Sequence, residues 1–174
     1  MRQPTHARRS THAKRSLVLI AALLVGTGLA APAAAQDQSA ATPPDTIFAR
    51  KTVMDTISEK MDALEAASAS DRKIDLGAAH EFADTISVLL MAFPHMFPAP
   101  TNLWKPNVDK DPAIDTYAAP EVWTKFSDFY KRAGDASKIA YNASRAAGEA
   151  EFKAAVGALR NACDGCHAAY QKTD

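Results

Sequence analysis

The stretch 149–171, EAEFKAAVGALRNACDGCHAAYQ, decides how this chain is read. Phe152, Val156, Leu159, Ala162, Cys163, Cys166 and Tyr170 recur at three- and four-residue steps, the spacing that places side chains on one face of an amphipathic helix. A helix is therefore predicted from Glu149 to about Gln171. It carries the only two cysteines in the chain, Cys163 and Cys166, and His167 follows directly.

The same period recurs upstream. From Thr46 to about Ala67 the apolar positions are Ile47, Val53, Met54, Ile57, Met61 and Leu64, with Asp45 or Thr46 as cap candidate. A second segment follows Ser70 and Asp71, runs through Ile74, Ala78, Phe82, Ile86 and Leu90, and is stopped by Pro94. A third opens around Pro120, carries Val122, Trp123, Phe126, Phe129, Tyr130, Ala133 and Ala140, and ends near Gly148. Between these two, Pro94, Pro98, Pro100, Pro106 and Pro112 cannot stand in a helix interior, so 94–119 reads as a long connection of the kind that covers something. No stretch alternates with period two. Four such helices, each roughly 30 Å long by the helical rise, predict an all-α antiparallel four-helix bundle.

The N-terminal 35 residues are different in kind. They hold five basic residues, Arg2, Arg8, Arg9, Lys14 and Arg15, and no acid, then an apolar run from Leu17 to Leu29, then Ala33, Ala34 and Ala35. The run is about 13 residues, short of the roughly 20 that cross a bilayer, so 1–35 is predicted to be a secretory signal peptide cleaved after Ala35. An uncleaved anchor is the alternative. Residues 36–44 read as a loose lead-in and 45–174 as the bundle. No later segment is expected to be apolar enough to span a membrane. Beyond position 35 the chain has 15 basic and 20 acidic residues, and a mildly acidic body argues against nucleic acid as a partner.

Cys163-Asp164-Gly165-Cys166-His167 is the C-x-x-C-H pattern of covalent c-type haem attachment. Cysteines three apart on a helix face one way and can both form thioethers, and the adjoining imidazole projects toward the iron. Three other readings compete. A disulfide would close too short a loop to stabilise much. A thioredoxin-like pair would normally open a helix after a strand. A zinc site needs about four ligands, and the mature chain adds only His80 and His95. An exported location favours haem. His80, beside Glu81, reads as a surface or capping residue, and His95 would reach a distal position only if its loop folded over. Met61, Met91 and Met96 read as packing residues, Met96 being the one backup sulfur ligand.

Taken together, the chain resembles the cytochrome c prime family, four-helix periplasmic monohaem proteins with the haem motif in the last helix. The similarity rests on Cys163 to His167 and Tyr170, on Phe93 to Pro98 ending the second helix, on Ala119 to Trp123 opening the third, and on Arg50 and Met54 in the first. It implies haem c as the single cofactor, with Cys163 and Cys166 as anchors and His167 as proximal ligand. Arg50 would pair with a haem propionate, and Trp123 and Phe126 would wall the pocket. Met54 would stand over the distal face, either as sulfur ligand of a low-spin iron or as an apolar plug over a five-coordinate one. The family's usual arginine after the terminal Tyr or Phe is here Gln171, then Lys172. The long connection is closer to the low-spin relatives, and Trp104 and Lys105 are expected over the haem edge.

These features predict a periplasmic electron carrier exchanging single electrons with partner redox proteins, and not an enzyme. A gas-binding protein taking NO or CO at a five-coordinate iron is the alternative, and a haem-free helical interaction module is the second. The family's dimers form through the first two helices, and Ala66, Ala67 and Ala78 would allow such a contact; a homodimer is thus an open expectation.

Overall fold

A computed structural model describes residues 41–111 and 115–172. The predicted signal peptide, its cleavage site and most of the lead-in lie outside the described residues. Helix α1, Pro43–Ala69, begins earlier than its periodicity suggested. Thr42, rather than Asp45 or Thr46, is the cap. The Asp45 backbone N–H donates to Thr42 Oγ1 at 3.3 Å while the Thr42 N–H donates to the Asp45 carboxylate at 3.1 Å, a reciprocal capping box. Pro43 and Pro44 occupy the first turn, where a missing N–H costs nothing, so these prolines start the helix instead of preceding it.

Helix α2, Leu76–Ala92, is capped by Asp75, whose carboxylate accepts from the Gly77 and Ala78 N–H groups. Pro94 ends it as expected, through a 3-10 turn at Phe93–Met96. The predicted third helix is two pieces. Helix α3, Glu121–Thr124, is one turn, and α4, Phe126–Ala143, follows a break at Lys125. Helix α4 stops at Ala143, short of Gly148, where the Ser144 hydroxyl donates to the Tyr141 carbonyl. Helix α5, Glu149–Tyr170, carries Glu149 and Glu151 in its first turn, where carboxylates complement the helix dipole. Glu149 also accepts from the Ile74 N–H at 3.1 Å, tying the α1–α2 turn to the start of α5.

The bundle consists of α1, α2, α4 and α5, and no strand occurs among the described residues. Its core has two parts. One, around Ile57, Met61, Leu64, Ile86, Phe152 and Leu159, fills the bundle where Ala136, Ala140 and Ala143 let α4 approach its neighbours closely. The other is aromatic, comprising Phe93, Phe97, Phe129 and Tyr170 with Val122. The segment Leu76–Met96 has the length and mean hydropathy, 1.3, of a membrane-crossing helix, contrary to the expectation that no later segment would. Its apolar residues Ala79, Ala83, Ile86 and Leu90 instead belong to the bundle core.

The long connection returns to the last helix. Ala119 N–H donates to the Tyr170 carbonyl at 2.9 Å and Lys172 N–H to the Tyr117 carbonyl at 2.8 Å, an isolated antiparallel bridge. Residues 115–119 are thereby held beside the end of α5, next to the aromatic part of the core.

Candidate haem site

Cys163, Cys166 and His167 sit in the last two turns of α5 and line a cavity of about 610 Å³. Met54 and Arg50 line it from α1, Phe129 and Arg132 from α4, and Thr116, Tyr117 and Ala118 from the long connection. The volume lies in the range of small-molecule and cofactor sites, which are mostly apolar with a few placed polar groups. An apolar wall, two sulfurs and an imidazole on one helix face, and an unneutralised cation fit an iron porphyrin with anionic side arms.

Both cysteines are free thiols, half-buried. Burial pushes the Cys163 thiol up and that of Cys166 up to about 11, so both are protonated at neutral pH. The His167 ring opens to the cavity, and the protein around it disfavours the imidazolium, lowering its pKa. A neutral imidazole is the form that ligates metal.

Met54 is half-buried, packed against both parts of the core. Met61, expected as packing, is buried and also touches the cavity. Met96 is absent from the cavity lining, and Met91, 49% exposed, packs into neither part of the core. His80 and His95 lie off the cavity, and among the described residues no group of three or more His, Cys, Asp or Glu side chains could hold a metal ion. The zinc reading thus lacks its ligands, and the thioredoxin-like reading lacks its strand.

Arg50 is buried, 3% exposed. It donates to Thr101 Oγ1 at 2.9 Å, to the Thr101 carbonyl at 3.4 Å and to Thr116 Oγ1 at 2.5 Å. Its guanidinium stands 4.6 Å from the centre of the Phe97 ring and 5.7 Å from that of Trp123, cation–π contacts that partly replace lost water. No carboxylate lies within ion-pair distance of it among the described residues, and burial lowers its pKa to about 10. A solvated helix charge is therefore excluded for Arg50.

Trp123 and Phe126 do not line the cavity; Phe129, one turn further on, takes the place expected of Phe126. Trp123 acts behind the wall. Its indole N–H donates to the Phe97 carbonyl at 3.1 Å, pinning the loop whose Phe97 ring faces Arg50. Phe126 is 39% exposed, too far out on α4 to reach inward. Trp104 and Lys105 are also off the cavity, and residues 116–118 supply the connection's share of the wall. Sequence reasoning missed Thr101 and Thr116. Neither sits in a motif, and both meet Arg50 only through the return of the connection.

The profile of the cytochrome C′ family matches residues 45–171. Cytochrome c-556 of Agrobacterium tumefaciens (strain II Chrys) is 33% identical over 126 residues, covering 70% of this chain and 93% of that one. The crystal structure of cytochrome c′ from Rubrivivax gelatinosus is similar with a TM-score of 0.62 at 25% identity, over 75% of this chain and 98% of the other. A structural model of oxidised Rhodopseudomonas palustris cytochrome c556 shares the fold, with a TM-score of 0.63 at 20% identity over 75% and 98% of the two chains.

Proposed function

The chain belongs to the cytochrome c′ family and is a monohaem c-type cytochrome with one covalent haem c, and on that premise we propose that it carries single electrons between redox proteins of the periplasm. The family interacts with redox partners or gaseous ligands and is typically periplasmic.

Haem c, when bound, supplies a one-electron iron couple. The protein supplies the rest. Cys163 and Cys166 would hold the group by thioethers, and His167 would hold the iron. Met54 would offer its thioether sulfur to the iron, a ligand type that favours the reduced state and raises the potential. Arg50 would meet a propionate, whose negative charge would supply the counter-ion that no carboxylate among the described residues provides. The aromatic residues around Phe129 and the returned connection would wall the group, and charges beside it would act more strongly there than in bulk water. On this reading the protein acts as an electron carrier.

The observation that carries this reading is that Met54 lines the same cavity as Cys163, Cys166 and His167. The absorption spectrum of the oxidised holoprotein tests it. A low-spin spectrum with a sulfur-to-iron charge-transfer band, lost in Met54→Ala, is expected. A high-spin spectrum indifferent to that substitution would remove Met54 from the iron and turn the protein into a binder of NO or CO.

A further inference from the structure

On the outward side of α4, Phe126 is 39% exposed and Tyr130 42%, their ring centres 6.2 Å apart. Adjoining exposed rings form a contiguous apolar patch, the kind of surface that marks docking sites. Phe126 is also 6.1 Å from Phe129, the ring that lines the cavity with Cys166 and His167. The exposed pair is thus one aromatic contact from the redox site. His95 extends it onto the 3-10 turn, its ring 5.8 Å from Tyr130.

Charge is segregated in the same place. Residues 125–143 hold four cations, Lys125, Lys131, Arg132 and Lys138, against two acids, Asp128 and Asp135. The remainder of 36–174 holds 11 cations and 18 acids. Asp135 is shared by Lys131 and Lys138, so that trio keeps a net positive charge. Asp128 is taken by Arg132 at 2.7 Å and by the Tyr170 hydroxyl at 2.6 Å.

A second copy of this chain is a poor occupant. A two-fold contact places the same patch on both sides, so the net positive charge carried by Lys125, Lys131 and Lys138 would face itself. A negatively charged partner gains from both the rings and the lysines.

We propose that the face formed by Phe126 and Tyr130, flanked by Lys125, Lys131 and Lys138, docks an acidic redox protein. One electron passes there from the reduced partner to the oxidised cytochrome, with no bond made and no proton moved. The Phe126–Phe129 contact joins this face to the cavity wall. This inference rests on the electron-carrier reading, and it adds which surface and which kind of partner.

The test is stopped-flow reduction of the oxidised holoprotein by a reduced plant-type [2Fe–2S] ferredoxin, a strongly acidic one-electron donor. The second-order rate is expected to fall as ionic strength rises. The Lys125→Glu, Lys131→Glu, Lys138→Glu variant should react at least about tenfold more slowly at low salt, with a flattened salt dependence. Tyr130→Ser should slow the reaction without changing that dependence. Unchanged visible spectra establish that the variants are folded and loaded, and amide shifts on adding oxidised ferredoxin should cluster on 125–138. Rapid exchange that ignores the substitutions, or shifts on another face, overturns the docking face and leaves the carrier reading standing. No exchange by the wild type at any salt concentration overturns both. Self-association through 125–138, abolished by the same lysine changes, assigns the face to a second copy and overturns the proposal.

Discussion

Arg50 donates to Thr116 Oγ1 at 2.5 Å across 66 positions of sequence, both side chains buried. A cation held in the interior by neutral oxygens is expensive unless something brings an opposite charge. The first helix and the far end of the long connection are thus fastened together around a charge that no carboxylate among the described residues neutralises.

Removing that acceptor while keeping the side chain's shape tests the fastening. Thr116→Val leaves the Arg50 Nη2 atom only its 3.4 Å contact with the Thr101 carbonyl. We expect a loss of about 1–3 kcal/mol, the cost of an unsatisfied buried donor. Urea unfolding of the holoprotein reads it, with Thr116→Ser restoring most of the stability.

Arg50 also acts on the couple. A positive charge beside the cavity disfavours the more positive, oxidised state, so Arg50→Gln should lower the midpoint potential. The shift is on the order of tens of millivolts for a unit charge at an effective dielectric of ~20. Spectroelectrochemistry measures it; a potential that rises or stays put would show that the Arg50 charge does not reach the iron.

Arg160 gives a pH dependence. It pairs with Glu65 through Nε at 2.5 Å and Nη2 at 2.7 Å, holding that carboxyl below its ordinary value of 4.5. A depressed acid contributes stability above its unfolded pKa and loses it as pH falls through the folded one. The pair is partly exposed, so about 0.5–1 kcal/mol is expected at neutral pH. Glu65→Gln should therefore unfold at lower temperature than wild type at pH 7, the difference closing in the acid range below 4.5. A gap that widens on acidification would contradict the assignment.

Phe152 separates stability from the site. It is fully buried and absent from the cavity lining. Phe152→Ala should cost about 3–5 kcal/mol through lost burial and the void it leaves. The visible spectrum of the loaded protein should stay unchanged, because Phe152 does not line the cavity that holds the proposed ligands.

How far the sequence alone reaches follows from where each signal resides. The four long helices were legible because their apolar periods are local, and the placement of Cys163, Cys166 and His167 followed from one of them. Pro43 and Pro44 misled because proline breaks an interior but suits a first turn, and only the Thr42–Asp45 pair tells which applies. The break at Lys125 has no glycine or proline to announce it. Thr101 and Thr116 were invisible because their partner lies 51 and 66 positions away, and ordinary loop threonines have no periodic mark. Phe126 and Phe129 both fit an aromatic wall, and only the orientation of α4 chose between them.

The most direct measurement is the intact mass of protein exported from cells with active haem-attachment machinery, compared with a Cys163→Ser, Cys166→Ser variant. One porphyrin mass covalently added to the wild type, surviving denaturation, and none on the variant is the expected result. Wild-type protein recovered as a bare polypeptide, or a variant that still carries the added mass, would contradict it.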